Sequence, residues 1–303
     1  MGAQLRRIRQ RIRSVRSTAK ITRAQELIAS SRVGKARDRA TDAEPYSREI
    51  SRAVSALVSH RMRMNHALLN TRPDTSRVAV LLMTSDRGFA GAYNQNVLRH
   101  ARALATLLEG QGKEIIPFVT GRKGVDWFSF RNREVRGKWV GVSGQPDYAT
   151  AAEIGRTLIE AFDMPTRDGG VGEVHVVYTH FASMLTQQTT VHRILPMVLE
   201  EVEERDEDRA ADVLPKAPYE FDPTPEAVLD EMLQKYVRSR IWYMMLDSAA
   251  AEWAARRTAM TAATENALEL VERLTREANE ARQAEITTEL NEIVGGVEAL
   301  KHH

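Results

Sequence analysis

Apolar residues near the start of the chain recur at steps of three and four: Leu5, Ile8, Ile12, Val15 and Ala19. That spacing puts them on one stripe of a helix, the seam along which a second helix packs. After Ala19 the apolar stripe moves two positions on, to Ile21, Ala24, Ile28 and Ser31, which predicts a seam that shifts there. It resumes at Ile50, Val54 and Leu57, and Pro45 is expected to kink the helix or mark a break. At the other end, Asp222 can cap a helix whose first turn holds Pro223 and Pro225, and residues 226–294 contain neither Gly nor Pro. Unbroken to Leu300, that helix would be about 110 Å long. Its seam reads Ala263, Ala267, Leu270, Leu274, Ala278, Ala281, then after a skip of five Ile286, Leu290, Ile293, Val297 and Leu300. A skip locally alters the winding of a helix pair.

Between these helices the period changes. Residues 77–84 form a nearly continuous apolar run, the mark of a strand buried on both faces. A Gly-bearing turn, residues 85–94, leads into a helix reaching about Glu109. Residues 114–120, 173–179 and 191–195 read as further strands, and 148–162 as a helix. Alternating strands and helices predict a doubly wound, Rossmann-like α/β middle domain. The fold class is therefore α/β with long terminal helices: an antiparallel coiled coil of the N- and C-terminal helices plus that domain. Domain boundaries fall at 1–72, 73–212 and 213–303, with Pro215, Pro218, Pro223 and Pro225 in a linker before the last helix. Residues 163–172 read as an exposed flexible loop.

Charge changes the picture. The net charge of +2 hides a strong asymmetry: residues 1–40 carry twelve Lys/Arg against Glu26 and Asp38, while residues 200–303 carry twelve against twenty-four Asp/Glu. A basic arm alone points to nucleic acid; a matching acidic end points instead to two termini lying against each other. The shorter helix can cover only part of the longer one, so the remainder needs another partner. The 303-residue chain has no cysteine, which excludes disulfides and thiolate chemistry, and no apolar run of membrane-spanning length. The start of the chain has no apolar core of a secretory signal.

Candidate chemistry is sparse. The turn Gly88-Phe89-Ala90-Gly91 follows a strand and opens a helix, where phosphate can bind, but it matches neither G-x-G-x-x-G nor a Walker loop. The simpler expectation is a tight turn in which Gly88 and Gly91 serve the backbone and Asp86 and Asn94 bond nearby amides. His175 and His180 could approach His192 across strands, without a metal-ligand spacing to link them. The acidic run at residues 200–208 reads as a solvated loop. No catalytic constellation, cofactor site or metal site is expected.

Several stretches in the right order resemble the gamma subunits of F-type ATP synthases, the central rotor stalk. They are Ile8-Arg9-Gln10-Arg11-Ile12 through Lys20-Ile21-Thr22-Arg23-Ala24, then Thr84-Ser85-Asp86-Arg87-Gly88 through Gly91-Ala92-Tyr93-Asn94. Near the end they are Ala263-Thr264-Glu265-Asn266-Ala267, Ala281-Arg282-Gln283-Ala284-Glu285-Ile286-Thr287 and Glu292-Ile293-Val294. Four positions depart from the family: Gln25 where Met is common, Ala251 and Trp253 of Ala251-Glu252-Trp253 where Ser-Glu-His is common, and Arg257 where Met is common. The resemblance implies a non-catalytic shaft inside an alpha–beta hexamer, with the α/β domain as a foot against epsilon and the membrane ring of c subunits. It also implies a peripheral place on the cytoplasmic side of a bacterial plasma membrane, with no nucleic-acid partner. Arg282 and Gln283 would hydrogen-bond stator loops, with Thr287 and Glu289 nearby, and Arg23, Gln25 and Arg256 would meet the lever segments of beta. Three rivals stay open at this point: a nucleic-acid binder using the basic helix, a nucleotide-dependent α/β enzyme, and a generic coiled-coil adaptor.

Overall fold

A computed structural model describes residues 2–60, 67–70, 72–197 and 225–301. The acidic run 200–208, the linker prolines before Pro225, the Asp222 cap, His66 and the last two histidines lie outside the described residues, as do the side chains of Leu57, His60, Val297 and Leu300. The chain divides into two compact units, Met1–Ser30 with Arg256–His303, and Ser31–Ala255. Two helices contribute to both: α1 (Gly2–His60) and the last helix, α5 (Pro225–Lys301). α1 continues through Pro45, so of the expected kink or break the break is absent.

The first unit is an antiparallel helix pair. Leu5 and Ile12 of α1 pack with Val271, Leu274 and Ala278 of α5, flanked by Ile8, Val15 and Leu270. Thr22 meets Thr264 farther along, so position rises on one helix as it falls on the other. The expected shift of the seam after Ala19 does not occur. Ile21, Ala24, Ile28 and Ser31 are exposed, and the buried positions run Ala19, Glu26, Ala29, with Thr22 half-buried between. The three–four step thus persists, carried by polar side chains where the stripe of apolar residues had moved off. On α5 the buried positions are Met260, Thr264, Ala267, Val271, Leu274 and Ala278, one step from the expected Ala263 and Leu270, which flank them half-buried. The ion pairs Arg23–Glu26 and Arg273–Glu277 each lie within one helix. Apolar packing, rather than those pairs, joins the two.

The second unit is built on a five-stranded sheet of β1 (Arg77–Met83), β2 (Glu114–Thr120), β3 (Gly137–Trp139), β4 (Glu173–Phe181) and β5 (Gln187–Leu195). The order is β3-β2-β1-β4-β5, parallel except for β5, which runs antiparallel to β4. Side chains of β1 alternate between two buried faces, as a central strand requires. Val78, Val80 and Leu82 pack under α2 (Tyr93–Gly110) and α3 (Arg122–Ser129). Ala79, Leu81 and Met83 pack with Ile154, Leu158 and Phe162 of α4 (Tyr148–Asp163) and with Val54 of α1 and Leu229, Leu233, Val237 and Ile241 of α5. The inner halves of the two terminal helices therefore complete the second layer of the sheet. Along α1 in this unit the step of three and four continues through Val33, Ala36, Ala40, Ala43, Ser47, Ile50 and Val54, each buried or half-buried. Two short elements were not among those expected from the sequence: α3 has eight residues and β3 three.

The segment at residues 163–172 differs from the expected flexible loop. It holds a short 3-10 turn, Thr166–Asp168, fixed by three guanidinium groups. Arg72 donates to the carbonyls of Phe162 and Met164, Arg77 to Thr166 O at 2.9 Å and Arg136 to Gly169 O at 2.7 Å. Val171 is fully buried, and the Gly172 amide donates to Arg77 O.

Candidate functional site

The chain leaves β1 toward β2 and β3 on one side and returns to β4 on the other, so the crevice after β1 is where doubly wound sheets usually hold a ligand. Here the crevice carries a carboxylate of its own. Asp86 Oδ1 accepts from the amides of Arg122 at 3.0 Å and Gly141 at 2.7 Å, and Oδ2 from the amide of Ser143 at 2.9 Å. Burial acts to raise the Asp86 carboxyl, but the amides of Gly141, Ser143 and Arg122 together outweigh it and hold the group below its ordinary value. Asn94 closes the other side, accepting from the Ser85 amide at 2.9 Å and donating to Ser85 Oγ at 2.8 Å. Asp86 and Asn94 thus bond amides as the sequence suggested, and three amides lining the crevice, those of Arg122, Gly141 and Ser143, already hold a side chain. The glycine expectation is half right. Gly91 has φ +54, but the other positive-φ position is Phe89, not Gly88. The cavity beside this turn, lined by Thr84, Tyr93, Ser143 and Ser248 among others, has room for about one water molecule.

Asp86→Ala is expected to lower stability by about 2–4 kcal/mol, because three amides lose a charged acceptor. The folded carboxyl titrates below the unfolded one. Its contribution is therefore complete above the unfolded value and is lost as pH falls through the folded value. Urea unfolding at pH 7 and again near pH 3 should show the gap between the two proteins narrowing in acid; a gap that stays constant would count against the clamp.

The three histidines do not converge. His192 lies opposite Val176 and His175 opposite Arg193, so His175 and His192 project from opposite faces of the sheet. His175 bonds Glu173, which also pairs with Lys113 at 2.6 Å, while His180 bonds Asp247 at 2.7 Å. Among the described residues no group of three His, Asp or Glu side chains is placed to hold a metal ion.

The candidate contact residues fall in two bands of the helix pair. Arg23 and Gln25 are exposed on α1, with Arg23 Nη1 at 2.9 Å from both carboxylate oxygens of Glu26. Arg282, Gln283, Thr287 and Glu289 are exposed on α5, and the Thr287 hydroxyl donates to Gln283 O. From the Thr22–Thr264 crossing, the second band lies about 30 Å along the axis. Arg256 departs from expectation: it is 3% exposed, so its side chain lies inside the chain rather than facing a partner. Ile286, Leu290, Ile293 and Val294 stand among the α5 band at 47–64% exposure. They align in two adjacent rows, Arg282–Ile286–Glu289–Ile293 and Gln283–Thr287–Leu290–Val294. With Thr22 level with Thr264, the start of α1 at Gly2 comes level with about residue 284 of α5, so the apolar stripe lies beyond the end of the partner helix, and residues 291–294 are exposed all round. Ile21, Leu27 and Ile28 form a similar exposed group in the α1 band. The apolar spacing alone puts Ile21 and Ile28 in the seam. The signal against it was the unbroken step through Thr22, Glu26 and Ala29.

Comparison with known proteins gives a consistent result. A family model described as ATP synthase matches residues 4–300. The ATP synthase gamma chain of Thermobifida fusca is 50% identical over 300 residues, covering 99% of this chain and 97% of the relative. That of Acidothermus cellulolyticus is 52% identical, covering 99% and 98%. Among solved structures, a chain of the Euglena gracilis mitochondrial ATP synthase (OSCP/F1/c-ring) shares the fold with a TM-score of 0.67 at 16% identity, covering 99% of this chain and 95% of its own. A chain of the Tetrahymena thermophila central stalk and c-ring does so with a TM-score of 0.57 at 20% identity, covering 80% and 99%.

Proposed function

The chain belongs to the ATP synthase family that this model describes, as a gamma chain, and from that premise we propose how it works. It is the central-stalk rotor subunit of an F-type, proton-translocating ATP synthase. It couples rotation of the c-ring to conformational change in the alpha–beta hexamer and supplies no catalytic residue of its own. The sheet-bearing unit is the foot, against epsilon and the c-ring, and the helix pair is the shaft inside the hexamer. Among the described residues no helix is long and apolar enough to cross a membrane. The chain is peripheral, on the cytoplasmic side of a bacterial plasma membrane.

The observation that carries this reading is the apolar stripe on α5 that its own partner helix leaves uncovered. A shaft shifts a catalytic subunit between conformations only through a difference in contact free energy. Moving such an equilibrium from 1:99 to 99:1 takes about 5.5 kcal/mol. Ile286, Leu290, Ile293 and Val294, already partly covered, offer about 1–2 kcal/mol each when one conformer covers them and another does not, a sum of that size. Because the stripe lies on one side, rotation presents it to each surrounding subunit in turn. Arg282 and Gln283 border it and supply hydrogen bonds to acidic or polar loops, with Thr287 and Glu289 beside them. Arg23 and Gln25 serve the lower band, which meets the lever segments of beta.

Arg282→Ala with Gln283→Ala is expected to lower ATP hydrolysis by the assembled complex about threefold to tenfold, the effect of one lost hydrogen bond of ordinary net strength, while the isolated chain stays as helical as before. Unchanged turnover and unchanged assembly would remove these two residues from the contact. Isolation of the complex from native membranes should recover one copy of this chain with alpha, beta, epsilon and c subunits. Recovery without alpha and beta would leave an unrelated coiled-coil adaptor.

A further inference from the structure

The loop that joins β4 to β5 departs from the rest of the chain in composition. Charged residues make up 28% of the sequence, yet none occurs from Phe181 to Val191. The loop is nevertheless tightly built. The Ser183 amide donates to Thr186 O at 2.9 Å, and Ser183 Oγ accepts from the amides of Leu185 and Thr186. Gln187 Nε2 donates to the carbonyls of Ser183 and Met184. At the base, the buried carboxylate of Asp247 on α5 accepts from the Phe181 amide at 2.9 Å and bonds His180 at 2.7 Å. Phe181 packs on Ala90, Tyr93 and Ala251. Met184 and Leu185 hold the two central positions, which Asn, Asp or Gly commonly fill. Leu185 is 90% exposed. Its side chain adds almost nothing to the fold, while the loop that carries it is fixed at tip and base.

We propose that Leu185 is an anchor for an alpha or beta subunit, a contact that the sheet-bearing unit makes in addition to those of the helix pair. This rests on the shaft reading above. An uncharged apolar tip, ordered in advance, has the character of the centre of a protein–protein contact: charge is depleted there, and prior order lowers the cost of binding. With no Lys or Arg in the stretch, the tip offers nothing to a phosphate-bearing partner. The place of the loop selects the subunit. Asp247 ties it to α5 close to Ala251, and past Ala255 the same helix runs on as part of the shaft. The partner surface that meets the shaft therefore continues onto the loop, and an apolar patch at the rim of the hexamer is its match.

The test uses the assembled complex, with the photoreactive residue p-benzoylphenylalanine in place of Leu185, Leu290 or Leu107, one at a time; all three leucines are exposed. Light should join the probe at Leu185 to alpha or beta, as it does the probe at Leu290. The probe at Leu107, on α2, should give no such product. A product with epsilon or c alone, or none, while Leu290 still gives one, overturns the anchor and leaves the shaft reading standing. An equal product from Leu107 also overturns it, because exposure and not the loop would then set the yield. No alpha or beta product from Leu290 either overturns the shaft reading, and the anchor with it. Leu185→Asp, which puts a charge into an apolar contact, should lower ATP hydrolysis by the complex about tenfold while the isolated chain melts at the same temperature. Unchanged turnover in that variant overturns the anchor whatever the cross-links show.

Discussion

Replacing Ile286, Leu290 and Ile293 together by serine is expected to cut ATP hydrolysis by the assembled complex about a hundredfold, or to prevent assembly, without lowering the stability of the isolated chain. The three side chains are already about half to two-thirds exposed, so removing them takes little from the fold. If partner subunits cover them, each substitution removes about 1–2 kcal/mol of apolar contact. A net loss of about 2.7 kcal/mol between conformers accounts for a hundredfold change in rate. Circular dichroism of the isolated chain and turnover of the reconstituted complex separate the two effects. A complex that assembles and turns over normally would show that the stripe contacts nothing, and the shaft reading would lose its main support. Leu268, exposed on the same helix outside this band, is the control: Leu268→Ser should change turnover far less.

The largest expected effect on folding is at Gly121, where β2 passes into α3. Its φ of +85 lies in the region that side chains rarely adopt, and a Cβ placed there would stand 2.0 Å from Thr84 O and 2.5 Å from Thr84 C. Both are backbone atoms of the central strand's end, so no rotamer change relieves the clash. Thr84 cannot retreat, because its amide donates to Thr120 O and its hydroxyl also bonds Thr120 O at 2.7 Å. Gly121→Ala should therefore destabilise the sheet unit by about 4 kcal/mol or more. The helix pair of the first unit, with its own seam, should retain its helical signal. Hydrogen exchange resolved along the chain would distinguish them: amides of β1 and β2 should lose protection while those of residues 5–19 keep it. Equal protection throughout in the variant would show that the turn can yield.

Much of the sheet was legible because its signals are local. The apolar run of β1 and the boundaries of β2 at Glu114 and Thr120 follow from alternation and flanking glycines, and the structure keeps them. α3 and β3 were not legible: their lengths of eight and three residues are too short for a periodic pattern, and their places are set by Asp86 and by pairing with β2. The 163–172 segment looked loose because glycine and proline dominate it. Arg72, Arg77 and Arg136, remote in sequence, are what fix it.

The order of residues is enough to show that two long helices flank a doubly wound domain, that the later helix outruns its partner, and that the chain resembles a rotor shaft. Those properties depend on spacing and length, which act along one chain segment at a time. Only the tertiary structure decided which face of each helix lies inside, that Arg256 is enclosed and that Asp86 fills its own crevice. Such choices turn on a second surface. The face holding Thr22 and Glu26 lies inside because Leu5, Ile12 and Ala19 on the same side of α1 meet an apolar face of α5, and the stripe of isoleucines one step round the helix is left as an outer face.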